Sequence, residues 1–398
     1  MTGARIRLSL RLIYLRETVT IQASAASYSK NHDLADLLLR QAFFNPREIA
    51  PKSTNSRYNP FVAIRMKDIA QDLGVSAVTV SKVLRDHPDI SEETRQRVLK
   101  RVAELDYQPN VLARSLVTGR SYLVGLVVPG LLHSFFAEVA KGLSTVISPK
   151  GYSLLVSSSE ENSELERQEI RQLLARRLDA LVIASSGTDI ALFQSMDLQS
   201  VPYVLIDREF PELNANFVGI DDTKAGRIAA EHLLDIGCRR VAHISGRENS
   251  PGIRRFDGYK QALHNAGIPY REEYVVSGVR VDTQSTEHGA EAMRILLQRN
   301  PRPDGVFCHN DPLAIGAMNA ILDAGLRIPE DIALIGIGNL YYDNSLRVSL
   351  SSIDQHSEQI GQQAAEIILN LMEKKTKPAP RTIILDPVLV VRASTKRG

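Results

Sequence analysis

From residue 122 onward the sequence repeats one pattern: a short apolar run, a turn signal, then a longer stretch with helical spacing of its apolar residues. Runs of strand length fall at 123–128, 153–157, 180–184, 203–206, 241–244, 305–308 and 333–337. Helix-patterned stretches lie between most of them, at 135–147, 164–177, 223–236, 252–266, 285–299 and 312–324. Near the end, 351–355 reads as a strand, 356–372 as a helix and 382–391 as one or two strands. Strands that alternate with helices pair in parallel, because a parallel neighbour needs a crossover long enough to hold a helix. Such sheets are covered on both faces, which suits strands that are apolar nearly throughout. The expected body is therefore α/β, with two doubly wound lobes. Lobe N takes about 121–220 and 356–384, and lobe C about 221–355 and 385–398. Ligands in such folds bind beyond the carboxyl ends of the strands, here between the lobes.

A different pattern precedes the body. Residues 66–85 read M-K-D-I-A-Q-D-L-G-V-S-A-V-T-V-S-K-V-L-R. The spacing predicts two short helices around a tight turn, with Ile69, Ala70, Leu73, Val75, Val80, Val83 and Leu84 in one small core. Gly74 stands where the first helix must stop, and glycine tolerates the positive φ needed there. Ser76 can cap the second helix, whose outer face offers Ser76, Ala77, Val78, Thr79, Ser81, Lys82 and Arg85. Ser91 caps a third helix, with Glu92 and Glu93 at its positive end and Val98, Val102 and Leu105 closing the core. This is the layout of a helix-turn-helix unit over 62–108, whose second helix enters a DNA major groove. Pro109 then breaks the chain, and N-V-L-A-R-S-L at 110–116 forms a hinge piece within 109–120. It is too short to be a stable helix alone and can order against DNA or a partner copy.

Charge is unevenly placed. Residues 1–65 carry 10 Lys/Arg against 4 Asp/Glu, residues 66–120 carry 9 against 8, and residues 121–398 carry 29 against 34. The near-neutral head depends on placement: Glu92, Glu93, Glu104 and Asp106 go with the third helix, while Lys82, Arg85, Arg114 and Arg120 can line a DNA side. Residues 1–61 match nothing in the rest of the chain and read as a disordered basic arm or as sequence upstream of a true start between about Val62 and Met66. A secretory signal fits poorly, since Arg11 interrupts the apolar run at 8–15. No apolar run reaches the roughly 20 residues of a membrane span. Cys238 and Cys308 are isolated, which argues for burial in a reducing cytoplasm rather than a disulfide or zinc site. There is no H-E-x-x-H, P-loop or G-x-S-x-G, so neither catalysis nor a cofactor is expected.

The chain resembles the LacI/GalR family of bacterial transcription regulators from about Arg65 to Ser394. The resemblance rests on D-I-A-x-x-x-G-V-S-x-x-T-V-S-K-V-L, on S-x-x-T-R-x-x-V at 91–98, on L-x-Y-x-P-N at 105–110 and on A-R-S-L at 113–116. In the body it rests on F-F-A-E-V-A-K-G at 135–142, R-x-x-G-Y at 255–259, N-D-P-L-A-I-G-A at 310–317 and V-V-R-A-S-T near the end. The resemblance implies a homodimer on a palindromic operator, acting in the cytoplasm at the nucleoid. It makes Ala77, Val78 and Lys82 the base readers, with methyl contacts from the first two and guanine donation from Lys82. For Val78 the alternative is packing in the head's core. Ser76, Thr79, Ser81 and Thr94 are the implied phosphate contacts, and Lys67, Arg85, Ser91 and Ala113 join that DNA side. Asn110 is implied to touch the backbone, and Leu116 to wedge into a central minor-groove step.

In the body, Arg255 and Asp311 match the family's effector clamp. A guanidinium and a carboxylate suit the hydroxyls of a sugar-like molecule. The alternative is an ion pair between these two residues. Phe135, Phe136, Asp207 and Asp282 complete the expected cleft set, and Asp221 and Asp222 fit either an interlobe crossover or a helix start. Two departures stand out: Gly336-Ile337-Gly338-Asn339 lacks the aspartate common in the family's G-[FY]-D-[DN], and His133-Ser134 replaces Asn-Pro. Two other classes also fit parts of the chain. A periplasmic-type sugar-binding protein would share the body but not the head, and an architectural DNA binder would not need Arg255 and Asp311.

Overall fold

The computed structural model describes residues 64–84, 86–107, 115, 118–187, 190–277, 283–374 and 378–397. The chain divides into two compact units, one ending at Gln108 and one beginning at Pro109.

Among the described residues the first unit is a three-helix head: α1 (Met66–Leu73), α2 (Ala77–Leu84) and α3 (Glu92–Glu104). Gly74 ends α1 in the left-handed region at φ 64°, and its N–H returns to the carbonyls of Ala70 and Gln71. Ile69, Ala70, Val80, Val83, Val98 and Tyr107 form the buried core, with Leu73, Val75, Leu84, Val102 and Leu105 packed around it. Such a small core is supplemented at its edges. Arg101 pairs with Asp72, and Arg97 donates to the Leu73 carbonyl at 3.1 Å, so two arginines of α3 hold the end of α1. Arg95 pairs with Asp86 and donates to the His87 carbonyl, fixing the loop between α2 and α3.

The second unit contains two six-stranded sheets. Its strands are β1 (Leu123–Val128), β2 (Ser153–Ser158), β3 (Ala180–Ile183), β4 (Tyr203–Ile206), β5 (Asn216–Ile220), β6 (Val241–Ser245), β7 (Val275–Ser277), β8 (Gly305–Cys308), β9 (Ala333–Gly338), β10 (Ser351–Asp354), β11 (Thr382–Leu385) and β12 (Val388–Val390). Its helices are α4 (Ser134–Ile147), α5 (Ser163–Ala175), α6 (Ile190–Leu198), α7 (Asp222–Asp235), α8 (Ser250–Asn265), α9 (Ser285–Leu297), α10 (Asp311–Asp323) and α11 (Ser357–Glu373). The first sheet runs β11-β5-β4-β3-β1-β2 and the second β12-β10-β9-β8-β6-β7. Pairing is parallel throughout, except that β12 lies antiparallel to β10.

The chain passes between the sheets after β5, after β10 and between β11 and β12. These passages are tied together: Asp221 N–H donates to the Leu385 carbonyl at 3.3 Å, Lys224 pairs with Asp386 at 2.5 Å, and His356 Nε2 lies 3.0 Å from the Asp386 carbonyl. The expected 382–391 segment is thus two strands in two different sheets. Three elements, α6, β5 and β7, were not among the runs expected from the sequence. β5 carries Asn216 and Gly219, both poor strand formers, and is a strand because every residue in it is buried between β4 and β11. α6 buries Leu192, Phe193 and Met196 without a clean polar face, so its spacing gave no helical signal.

A pair of glycines sets how α7 and α8 meet. A Cβ on Gly226 of α7 would stand 2.1 Å from the Arg255 carbonyl, and one on Gly258 of α8 would stand 2.1 Å from the Thr223 carbonyl. The two helices cross backbone to backbone, and this seats Arg255 of α8 directly against the start of α7.

Candidate functional site

The head presents one candidate surface. Thr79 N–H donates to Ser76 Oγ at 3.0 Å, and Thr94 N–H donates to Ser91 Oγ at 3.4 Å. The hydroxyl pairs Ser76–Thr79 and Ser91–Thr94 are each 2.9 Å apart. Ser76 and Ser91 are therefore the caps of α2 and α3, and Thr79 and Thr94 stand three residues on in the first turns, where helix N-termini favour an anion. Val78 is 62% exposed, which decides its alternative: it does not pack in the core. Lys67 is exposed, while Ala77, Thr79, Ser81 and Lys82 are half-buried on the same unit. Lys82 forms an ion pair with Asp89. Lys82 and His87 hold the Asp89 carboxyl below the usual carboxylate range, and this internal partner for the expected polar base reader was missed by the sequence reasoning. Arg85, Asn110, Ala113, Arg114 and Leu116 lie outside the described residues. Arg120, expected toward DNA, instead donates to Tyr152 Oη at 3.2 Å and to the Met372 carbonyl at 3.0 Å within the body. A guanidinium needs several acceptors, and the body supplies them.

The second candidate is a narrow cleft in the body. It is lined by His133, Phe135, Phe136, Asp207, Arg208, Asn249, Pro251, Arg255, His309, Asn310 and Gln355. Asp207, Arg208, His309, Asn310 and Gln355 follow directly on the carboxyl ends of β4, β8 and β10. His133 and Asn249 lie in the loops after β1 and β6. This is where a doubly wound sheet places a ligand.

Arg255 lies at its floor, 3% exposed. Its Nε donates to Asp222 Oδ1 at 2.7 Å, Nη1 to the His309 carbonyl at 2.8 Å and Nη2 to Gln355 Oε1 at 2.7 Å. The expected alternative, an ion pair between Arg255 and Asp311, does not occur: the partner is Asp222. Asp221 and Asp222 divide the two roles left open for them. Asp221 caps α7 by accepting from Lys224 N–H at 2.9 Å, while Asp222 is buried on Arg255. Burial pushes the Asp222 carboxyl upward, and the guanidinium opposes that shift.

Asp311 departs from expectation. It begins α10 but is fully buried and is not among the cleft-lining residues. Ser352 Oγ donates to it at 2.7 Å and Leu340 N–H at 3.4 Å. Asp343, also buried, faces it as a second carboxyl. Burial and the adjacent Asp311 push Asp343 up to about 9, and burial raises Asp311 as well, so the two carboxyls hold a proton between them at neutral pH. A Cβ on Gly336 would meet Asp311 Oδ1 at 2.1 Å, and one on Gly338, at φ 150°, would meet Oδ2 at 2.4 Å. The glycine at 338 is thus the space in which the Asp311 carboxylate sits.

Of the other expected cleft residues, Phe135 and Phe136 line the space and pack edge to face at 4.9 Å, and Asp207 lines it beside Arg208. Asp282 lies outside the described residues. The sequence reasoning missed Arg208, Asn249, His309, Asn310 and Gln355 as lining residues. The cleft is also bridged by the protein itself: Arg247 approaches Glu161 at 3.5 Å, Thr283 Oγ1 donates to Glu161 at 3.1 Å, and Arg254 pairs with Glu209. His309 is driven well below the usual histidine range by burial and then by Arg255, His243, Arg208 and His133, so it is neutral. Among the described residues no group of three His, Cys, Asp or Glu side chains could hold a metal ion, and no helix is long and apolar enough to cross a membrane.

A family model described as periplasmic binding proteins and sugar binding domain of LacI family matches residues 121–390. One described as bacterial regulatory proteins, lacI family, matches residues 65–110. The chain belongs to the LacI family. As a LacI-family protein it is a DNA-binding transcriptional regulator with an effector-type body. It is 31% identical to a ribose operon repressor of Halalkalibacterium halodurans, over 84% of this chain and 97% of that one. Among solved structures it is similar to the transcriptional regulator CelR in complex with cellobiose, at 29% identity and a TM-score of 0.63, covering 83% of this chain and 99% of that one. The lac repressor dimer bound to operator and an anti-inducer shares the fold, with a TM-score of 0.73 at 24% identity, covering 84% of this chain and 99% of that one.

Proposed function

We propose that this LacI-family chain is a repressor that binds a palindromic operator as a homodimer in the cytoplasm, with a small effector in the body's cleft setting its operator affinity. It performs no catalysis. The observation that carries this reading is the joining, in one chain, of a capped helix with an exposed apolar reading face to a two-lobed body with a polar cleft. The CelR complex with cellobiose supports a carbohydrate-like effector.

In this reading Ala77 and Val78 contact thymine methyls, and Lys82 leaves Asp89 to donate to a base. Ser76, Thr79, Ser81, Ser91, Thr94 and Lys67 position phosphates. Asn110, Ala113 and Leu116 order on the operator, with Leu116 as the wedge. Arg255 holds one wall of the cleft through Asp222 and Gln355, while Phe135, Phe136 and Asp207 face the effector. Effector binding changes how the lobes sit and so shifts the hinge's ability to order. A 100-fold change in operator affinity corresponds to about 3 kcal/mol of coupling.

The test selects an operator from random duplexes with the full chain and then measures affinity with a carbohydrate panel present and absent. At least one compound is expected to change affinity for the selected operator by about tenfold or more. Leu116→Ala should weaken the selected operator and leave random DNA unaffected. Equal loss on both sequences would remove the wedge role, and a panel that binds without changing operator affinity would remove the effector control.

A further inference from the structure

The hydrogen-bonding sense of the amides and guanidinium groups that line the cleft is one-sided. Asn249 caps α8 by accepting from Gly252 N–H at 3.0 Å, and Asn310 caps α10 by accepting from Leu313 N–H at 2.9 Å. Gln355 Oε1 accepts from Arg255. The protein itself therefore uses the acceptor oxygen of all three lining amides; the Asn310 NH2 lies 3.3 Å from His133 Nε2, and the NH2 groups of Asn249 and Gln355 are the amide donors offered to a ligand. Arg208 and Arg255 are donors by chemistry, since a guanidinium has no acceptor. Asp207 is the one carboxylate among the lining residues. The carboxylate expected to balance the site, Asp311, is committed to Ser352, Leu340 and Asp343.

Two further observations point the same way. His133, Asn249 and Asn310 are the N-cap residues of α4, α8 and α10, so three helices of 13 to 16 residues begin at this one cleft. Each brings the positive end of its dipole there. In addition, Nδ1 of His309, a residue 5% exposed that lines the same space, has no hydrogen-bond partner among the described residues, and in its Nδ1–H tautomer it is a further donor.

A neutral sugar fits this lining poorly. Each of its hydroxyls donates as well as accepts, and a buried hydroxyl proton facing only amide and guanidinium donors is left without an acceptor. A carboxylate or phosphate only accepts, and its bonds to guanidinium and amide donors are charge-assisted. We propose that the effector carries an anionic group, a carboxylate or a phosphate monoester, held by donors of Asn249, Gln355, Arg208 and Arg255, with its polyol part against Phe135, Phe136 and Asp207. This inference rests on the reading of the cleft as an effector site.

The experiment uses the full chain and matched sets of ligands: neutral aldoses, the corresponding aldonates and uronates, and the corresponding sugar phosphates, with inorganic phosphate and sulfate as ion controls. Binding is measured by calorimetry, and the effect on operator affinity is measured in parallel. At least one anionic member should bind tenfold or more tightly than its neutral parent and than the bare ions, with the advantage shrinking as salt rises. A preference for aldonates and uronates identifies the carboxylate form, and a preference for sugar phosphates the phosphate form. Asn249→Asp preserves the cap oxygen while replacing an NH2 donor with a charge, and should cut that advantage to threefold or less. Arg208→Gln should do the same. If either variant fails to fold, the wild-type ratio and its salt dependence still decide. A neutral sugar that binds as tightly as its anions, or tighter, overturns the anionic group and leaves effector control standing. No binding by any member, with operator affinity unmoved, removes both.

Discussion

The head and the body of this protein place their candidate sites in opposite ways. In the head, the candidate reading face is one side of the eight-residue helix α2, and its supporting core comes from residues 69–107. In the body, the cleft is assembled from segments between His133 and Gln355 that follow the ends of five different strands. The head's chemistry is thus written in consecutive residues, whereas the body's exists only once both sheets have formed. The difference also shows in energetics. The head relies on caps and surface ion pairs around a small core, and the body on backbone-to-backbone helix crossings and a fully buried ion pair.

The sharpest way to break this contrast is to remove Asp222. Asp222→Asn leaves the Arg255 guanidinium buried without its counter-charge, and loss of one partner of such a pair costs about 3–5 kcal/mol. The full chain should lose that much in denaturant unfolding, together with its effector response. Arg255→Ala should behave in the same way, because Arg255 holds Asp222, the His309 carbonyl and Gln355 at once. An unchanged unfolding midpoint in both variants would mean that the pair does not organise the cleft.

A smaller effect separates the two carboxyls behind the cleft. Asp343 is raised from the ordinary carboxylate range to about 9. Its contribution to folding is therefore fully present below about pH 4 and is lost as pH rises toward 9, since the unfolded chain gives up the proton first. Asp343→Asn can still donate to Asp311 but carries no titrating proton. A proton held by the folded chain alone costs up to about 1.4 kcal/mol for every pH unit above the unfolded value. The variant should therefore be more stable than the parent by at least roughly 2 kcal/mol at pH 8, and should flatten the decline between pH 6 and 9. Parallel stability curves for the two proteins would show that the pair does not share a proton.

The smallest effect tests the head. Ser76→Ala removes the cap of α2 and should cost about 1 kcal/mol, seen as faster amide exchange at Thr79 and Val80 with the body unaffected. Unchanged exchange there would make Ser76 a DNA contact alone.

Legibility followed the same division. Gly74, the Ser76 and Ser91 caps and the apolar set of the head could be read directly, because a helix and its termini are set by residues three and four positions apart. The strand–helix alternation was readable for similar reasons. Asn216–Ile220 was not, since it is a strand only through neighbours on both sides. At the cleft, Arg255, Phe135, Phe136 and Asp207 were found. Asn249, Asn310 and Gln355 were not, because an amide that caps a helix and one that lines a ligand site look alike in sequence.

The sequence by itself determined a helix-turn-helix head, a two-lobed α/β body and membership of a regulator family, since each rests on local periodicity and on motifs of fixed spacing. Only the tertiary structure decided which charges meet. It put Arg255 on Asp222 rather than Asp311, Lys82 on Asp89, Arg120 on the body, and Asp311 beside a second buried carboxyl, Asp343, in the space left by Gly338. The physical reason is range: helix and strand patterns are fixed by neighbours in the chain, while the energy of a buried charge depends on whichever groups folding brings within a few ångströms of it.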